Sequence, residues 1–187
     1  MELYKGKYWD VIFGSWCQDH PGYCIIGCNK ESLSELSSEA WQELGLLEKE
    51  LERVCKKVFG ATMFNFCCLM NNAYRDNEKP HVHFHFIPRY KSELKLFGKT
   101  YKDRHFGYNF WKWNLSKFRC QKDPYTENER KQIFEMMKEE FNLKDLFIDI
   151  KNTNDTLIRH IWIPLKYPLV CPLTTRTRPP RWWRSPV

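Results

Sequence analysis

Three histidines occupy every second position in the segment KPHVHFHFIPRY, residues 79–90. Alternate side chains of a β-strand leave the same face of the sheet about 6.5 to 7 Å apart. A strand here therefore presents His81, His83 and His85 as one row, about 13 Å long. The opposite face carries the apolar residues of the alternation, which are Val82, Phe84 and Phe86.

Such a row has a structural, a metal-binding and a catalytic interpretation. In a dry core each unpaired ring N–H costs about 1 to 3 kcal/mol, which disfavours a purely structural role. A His-x-His pair can supply two zinc ligands, but the outer members of a row about 13 Å long do not converge easily on one ion. Zinc binding stays open as an alternative, and the candidates for a third ligand are His20, Asp76, Asp103 and His105.

A catalytic role uses the row more directly. A central neutral imidazole can attack phosphorus as a nucleophile. Its neighbours on either side can donate hydrogen bonds to phosphate oxygens or hold the tautomer of the central ring. A linear row suits in-line displacement at phosphorus better than it suits a metal coordination sphere.

The preceding half of the chain supplies the elements that must position this row. Apolar residues at positions 8–13 predict an early strand, and a Pro21-Gly22 turn leads into a second strand over Tyr23–Cys28. A long helix starts after a cap at Ser37 or Ser38 and ends at Gly60. The segment TMFNFCCLMN predicts a buried strand, and NAYRDNEK predicts a polar loop.

Prolines at positions 80 and 88 are expected to bound the histidine strand. The sequence then becomes irregular and aromatic, with turn glycines at Gly98 and Gly107. A second, shorter helix begins at a capping box formed by Thr126 and Glu129. It continues with an apolar stripe that consists of Ile133, Met136, Met137 and Phe141.

Charge is distributed unevenly along the 187 residues, whose net charge is +7. Residues 151–187 hold seven Lys and Arg against one acidic residue, whereas residues 1–150 hold 23 against 22. Six of the ten prolines lie beyond position 160. The sequence therefore predicts a domain over residues 1–150 and a basic, Pro-rich, disordered tail over residues 151–187, compatible with contact to nucleic acid or a membrane surface.

Cellular location is predicted from what the sequence lacks. It contains no apolar run near the roughly 18 to 20 residues of a membrane span and no visible secretion signal. None of its eight cysteines forms a C-x-x-C pair, so we expect free thiols and a cytoplasmic protein.

The segment HVHFHFI resembles the signature of the histidine triad (HIT) superfamily of nucleotide hydrolases and transferases. The resemblance covers roughly residues 8–110, and FNFCCLMNNAYRDNEKPH is similar to the diadenosine polyphosphate hydrolase-like branch. It implies an α+β fold of the HIT type, with a mainly antiparallel sheet, one long helix, one shorter helix and a homodimer. It also implies that His83 is the nucleophile and that His81 and His85 contact phosphate and support it.

The resemblance also suggests substrate-binding residues. An amide that precedes the triad in the family falls on Asn71 or Asn72, and Asn29 follows the second strand. Many members have Gly-Gln and a hydroxyl residue just before the triad, where this chain has Asn77 and Glu78. Asn77 can replace the amide, whereas Glu78 places an acidic group near the expected phosphate.

The implied reaction is attack of His83 on the α-phosphate of a nucleoside phosphoester, polyphosphate or phosphoramidate. A nucleotidyl-histidine forms, and water then releases the nucleoside monophosphate. No cofactor bound by the protein is expected, although the substrate can arrive carrying Mg²⁺. The alternatives are a non-catalytic nucleotide-binding regulatory protein and a zinc-binding protein.

Overall fold

A computed structural model describes residues 1–70, 73–107 and 124–143. Within those ranges the chain forms seven strands, three α-helices and a 3₁₀ turn at Leu33–Glu35. The strands are β1 (Glu2–Lys5), β2 (Asp10–Phe13), β3 (Cys24–Gly27), β4 (Met63–Cys68), β5 (His83–Arg89), β6 (Leu94–Leu96) and β7 (Lys99–Tyr101). The helices are α1 (Ser38–Phe59), α2 (Ala73–Asp76) and α3 (Glu127–Glu140).

Five strands form one antiparallel sheet in the order β1-β2-β3-β5-β4, and β6 and β7 form a separate two-stranded hairpin. The histidine strand β5 therefore lies inside the sheet between β3 and β4. One long helix, one shorter helix and an antiparallel sheet are the α+β architecture that the sequence predicts.

The register of β5 places its histidines on the face of the sheet opposite the core. His83 pairs with Gly27 and His85 pairs with Ile25 on β3. The intervening side chains enter the core, where Val82 and Phe86 are fully buried. The predicted alternation of a histidine face and an apolar face is therefore present.

Helix α1 covers the core face of the sheet. The Ser37 side chain accepts a hydrogen bond from the Ala40 backbone, and Gly60 ends the helix in the left-handed conformation with φ of 70°. Both ends agree with the predicted caps. The buried stripe of α1 includes Leu44, Leu47, Leu51 and Val54.

Strand β5 differs from the predicted span between Pro80 and Pro88. It begins at His83, so His81 lies just before the strand, and it continues through Pro88 to Arg89. Pairing with β3 ends at Phe86, whereas pairing with β4 continues to Arg89. Pro88 therefore lies where β5 has a neighbour on one side, and its missing N–H costs no second ladder bond.

Strand β4 is not the buried strand predicted from its apolar sequence. All six of its residues are half-buried, because β4 forms an edge of the five-stranded sheet. An apolar run is equally compatible with an edge strand, since hydrophobicity does not encode strand order.

Two short elements lie where the sequence predicts loops. The polar segment after β4 contains the single turn α2, which Asn77 follows with φ of 56°. The irregular segment after Arg89 contains the β6–β7 hairpin, whose turn residues Phe97 and Gly98 have φ of 52° and 71°. Two consecutive positive φ angles are typical of a tight hairpin turn, and the aromatic Phe97 concealed this one from a sequence-based prediction.

Helix α3 has the predicted capping box between Thr126 and Glu129. The aromatic segment 108–123 and the predicted tail at 151–187 lie outside the described residues, so the division at residue 150 stays a prediction. No helix within the described ranges combines the length and apolar character needed to cross a membrane.

Candidate functional site

The three histidine rings form a compact row on the face of the sheet opposite α1. The ring centroids of His81 and His83 are 4.9 Å apart, and those of His83 and His85 are 5.2 Å apart. Both intervals are shorter than the repeat of about 6.5 to 7 Å expected from the strand. The row is therefore shorter than predicted, and its neighbouring rings can act on one substrate group.

Burial and hydrogen bonding distinguish His83 from its neighbours. The His83 side chain is buried, whereas His81 is exposed and His85 is half-buried. Nδ1 of His83 lies 3.1 Å from the backbone oxygen of His81. A carbonyl oxygen can only accept, so Nδ1 carries a proton, and the neutral tautomer that this bond selects has its lone pair on Nε2.

His85 is held from its other side by an aromatic residue that precedes β3. The Tyr23 hydroxyl lies 2.7 Å from His85 Nδ1, and the two rings are nearly parallel at 15°. Burial and the adjacent His83 lower the pKa of His85 from its ordinary value. His85 is therefore neutral near pH 7.

A groove of about 610 Å³ opens beside His81 on the same face. Its lining includes Lys5, Lys7, Ile12, Gly27, Asn29 and His81. Ligand pockets in proteins typically measure about 300 to 1,000 Å³, so this groove is large enough for a nucleotide-sized molecule.

The floor of the groove is open because Gly27 has no side chain. A Cβ built on Gly27 would contact the Cβ of His83 at 3.9 Å, an ordinary van der Waals distance. A larger side chain at this position would therefore extend into the groove next to the row without disturbing the sheet.

The wall of the groove is fixed by a buried carboxylate on helix α1. The backbone N–H groups of Lys7 and Tyr8 each donate to the Glu43 carboxylate at 3.1 Å. Lys7 thus lies at a defined position beside the groove. Lys5 also lines the groove and forms a 3.5 Å ion pair with Asp10.

A buried ion pair lies further along the histidine face of β5. The Arg89 guanidinium donates to both carboxylate oxygens of Asp103, at 2.7 and 3.0 Å. It also donates to Asn65 at 3.0 Å and to the His105 backbone oxygen at 2.5 Å. Arg89 therefore ties the segment after β7 to the strand that carries the triad.

The third-ligand candidates for zinc have other partners. His20 Nδ1 hydrogen-bonds to the Tyr101 hydroxyl at 3.0 Å, Asp103 pairs with Arg89, and Asp76 pairs with Arg75. Among the described residues, no three His, Cys, Asp or Glu side chains are arranged to hold a metal ion.

The predicted substrate-binding residues have different locations. Asn29 lines the groove together with His81. Asn77 is exposed at the end of α2 in a left-handed conformation, which asparagine adopts readily. It is not among the residues that line the groove. Asn71 and Asn72 lie outside the described residues, and Glu78 is exposed.

Several residues of this site were not predicted from the sequence, namely Lys5, Lys7, Tyr23, Gly27 and Glu43. Lys5 belongs to β1, a strand that its polar sequence did not reveal. Gly27 carried a weak signal, because a glycine inside a strand often marks the close approach of a ligand or backbone.

Comparisons with known proteins identify the fold. Neither the scan against protein-family models nor the search of curated proteins gave a match. A histidine triad protein from Marinobacter aquaeolei VT8 has a TM-score of 0.52 at 19% identity, over 75% of this chain and 88% of that one. One from Bradyrhizobium japonicum has a TM-score of 0.52 at 12% identity, over 76% and 90%.

A third similar structure is a hypothetical histidine triad nucleotide-binding protein from Sulfolobus tokodaii, with a TM-score of 0.51 at 14% identity, over 78% of this chain and 84% of that one. The chain therefore has the fold of the histidine triad proteins, as the resemblance implied.

Proposed function

We propose that this chain is a nucleotide hydrolase or nucleotidyl transferase in which His83 attacks the α-phosphate of a nucleoside phosphoester, polyphosphate or phosphoramidate. One observation carries the proposal most strongly. The His81 carbonyl accepts from Nδ1 of His83 and leaves the Nε2 lone pair for attack. The proposed diadenosine polyphosphate hydrolase-like branch rests on the resemblance of residues 64–81.

The first step forms a bond between His83 Nε2 and phosphorus while the bond from phosphorus to the leaving group breaks. The leaving group departs with the electron pair and takes up a proton. The modified ring becomes positively charged and keeps its Nδ1 proton, which the His81 carbonyl at 3.1 Å stabilises. A hydrolase then uses water to break the new N–P bond and release the nucleoside monophosphate.

The neighbouring histidines would stabilise charge on the phosphoryl oxygens. His81 borders the groove, and His85 flanks His83 on the other side, so the two rings can contact oxygens on either side of the attacked phosphorus. Positioning and charge stabilisation account for most catalysis of phosphoryl transfer. The proposed mechanism therefore uses no metal bound by the protein, and Mg²⁺ arrives with the substrate.

The groove beside His81 would hold the nucleoside portion. Ile12 provides apolar surface, and Lys7 provides a cation near the phosphate path. Asn29 offers an amide for the ribose or phosphate. Asn71, Asn72 and Asn77 stay in the proposal as candidates from the resemblance alone.

A substrate screen tests the proposed function. Diadenosine polyphosphates and adenosine phosphoramidates would be incubated with the full chain, with and without inorganic phosphate, and the products separated by chromatography. The proposal expects nucleoside monophosphate in water, or nucleoside diphosphate where phosphate is the acceptor. Tight binding in calorimetry without any product would instead support the non-catalytic regulatory alternative.

Filling the groove at Gly27 should weaken substrate binding. We expect Gly27→Val to raise KM about 10-fold or more, corresponding to about 1.4 kcal/mol of lost binding. The valine fits the strand and extends into the groove, so the free energy of unfolding should not fall.

Steady-state kinetics and urea denaturation measure both effects. Gly45→Ala is the matched control, because Gly45 is exposed in α1 and a Cβ there meets nothing within 4 Å. That control should keep KM unchanged and raise the free energy of unfolding by about 0.5 to 1 kcal/mol. An unchanged KM in Gly27→Val would show that substrate binds elsewhere.

The proposed homodimer uses the edge of β4 that pairs with no other strand of the described residues. Its sequence MFNFCC contains neither a charged residue nor a proline, the features that usually protect an edge strand from pairing. We expect light scattering to give twice the chain mass of 22.8 kDa at micromolar concentration. A concentration-independent monomer mass would contradict the dimer and leave the proposed chemistry intact.

A further inference from the structure

Tyr23 covers one side of the histidine row. Its hydroxyl lies 2.7 Å from Nδ1 of His85, and the ring centroids are 6.1 Å apart at an interplanar angle of 15°. Tyr23 is outside the triad pattern and does not line the groove. Its hydrogen bond and its ring contact with the row are both to His85.

The direction of this hydrogen bond follows from the chemistry of the two groups. Burial raises the pKa of the Tyr23 hydroxyl, with smaller contributions from Cys24, Asp19 and Cys17, so the phenol keeps its proton. A phenol is a stronger acid than a neutral imidazole N–H, and the bond is most favourable when O–H donates to the nitrogen lone pair. The proton of neutral His85 is then on Nε2.

The environment of His85 supports a neutral ring. Within the described part of the chain, the titratable groups that face it are His83 on the same strand, Cys67 directly across on β4, and Tyr23. Burial raises the pKa of the Cys67 thiol, which therefore carries no charge near pH 7. Ile25 faces His85 from β3 and is apolar.

The loop between β2 and β3 is built around the Tyr23 ring. A Cβ on Gly14 would overlap the Tyr23 ring, so glycine is required for the ring to lie where it does. The Gly14 N–H and the Gln18 side-chain amide both donate to the Tyr23 backbone oxygen at 3.0 Å. Gln18 also accepts from the Gly22 N–H at 2.7 Å.

We propose that Tyr23 is a positioning residue whose hydroxyl donates to His85 Nδ1 and thereby holds neutral His85 with its proton on Nε2, aimed at the phosphate or leaving group handled by His83. This inference rests on the proposed function. In the first step the Nε2–H of His85 donates a hydrogen bond to the leaving atom and stabilises the charge that develops there as its bond to phosphorus breaks, and the departing group takes its proton from solvent water. His85 keeps its Nε2 proton throughout, and the water that later attacks phosphorus breaks the N–P bond to His83.

The test compares Tyr23→Phe with Tyr101→Phe in the full chain. Both changes delete a hydroxyl that bonds to Nδ1 of a histidine, but Tyr101 bonds to His20, which lies outside the row. Phenylalanine at position 23 keeps the stacked ring. Nitrogen-15 NMR of labelled histidine then reports the tautomer and the pKa of His85 without substrate.

We expect His85 to show an accepting Nδ1 and a protonated Nε2 in the unmodified protein. Loss of the donor in Tyr23→Phe should raise the pKa of His85 and lower kcat about five- to tenfold, the value of one neutral hydrogen bond, with KM within twofold. Tyr101→Phe should change neither quantity.

Two outcomes separate the inference from the proposed function. A protonated Nδ1 on His85, or an unchanged kcat in Tyr23→Phe with wild-type turnover intact, would overturn the role of Tyr23 and leave the reaction standing. An NMR spectrum as expected in a protein that turns over no nucleotide would overturn the proposed function, although the hydrogen bond itself would stand.

Discussion

Replacing His83 with alanine is expected to lower kcat/KM by at least about 10³-fold, the scale of losing a covalent nucleophile. The lost group is the ring whose Nε2 lone pair is free because Nδ1 donates to the His81 carbonyl. Initial rates on the best substrate of the screen would measure the loss.

Two further variants make this result specific. His83→Gln fills most of the same buried volume and should be as inactive as His83→Ala, so a packing defect does not explain the loss. His105→Ala removes a histidine that the structure places after β7, outside the row, and should stay within about threefold of the parent protein. More than a tenth of the parent activity in folded His83→Gln would contradict the assigned nucleophile.

Changing Asp103 to asparagine is expected to lower the free energy of unfolding by about 3 to 5 kcal/mol, the cost of leaving a buried charge without its partner. The Asp103 side chain is fully buried and accepts from Arg89, from the Tyr90 N–H at 3.3 Å and from the His105 N–H at 3.1 Å. The NH₂ of an asparagine at this position would point at N–H groups that now donate to the Asp103 carboxylate. The Arg89 charge would also lose its counter-charge.

Urea denaturation measures this cost, and Glu127→Gln is the matched control. Glu127 pairs with Lys131 at 2.8 Å on the surface of α3, where both side chains are mostly exposed. Breaking that pair should cost less than about 0.5 kcal/mol. A similar cost for both variants would show that the buried pair does not stabilise the segment after β7.

The same pair predicts how stability depends on pH. Burial alone would raise the pKa of Asp103, but the hydrogen bonds and charge of Arg89 outweigh it, and the net pKa lies below its ordinary value. The contribution of Asp103 to stability is therefore present above the carboxyl pKa of the unfolded chain and is lost as pH falls through the lower pKa of the folded state. Asp103→Asn should lack this acid-induced loss.

Local patterns in the sequence predicted the parts of the structure that depend on local chemistry. The period of two in HVHFHF is enough to separate the histidine face from Val82 and Phe86, since side-chain direction alternates in any strand. The caps of α1 and α3 were likewise predicted, because a cap is a contact between residues close in sequence.

The remaining features depend on contacts between distant segments. Tyr23 and His85 are 62 positions apart, and their contact follows from the pairing of β3 with β5. The position of β4 at an edge is likewise set by strand order. Local sequence patterns encode neither the pairing of β3 with β5 nor the strand order of the sheet. The groove and the contact between Tyr23 and His85 were therefore not predicted from the sequence.

Mass spectrometry of the quenched reaction detects the proposed nucleotidyl-histidine itself. The full chain would be mixed briefly with a diadenosine polyphosphate or an adenosine phosphoramidate, denatured at a pH where phosphohistidine survives, and fragmented. We expect an adenylyl group on His83 that disappears in His83→Gln. Product formation without a protein adduct in the unmodified chain, or an adduct on a residue other than His83, would contradict it.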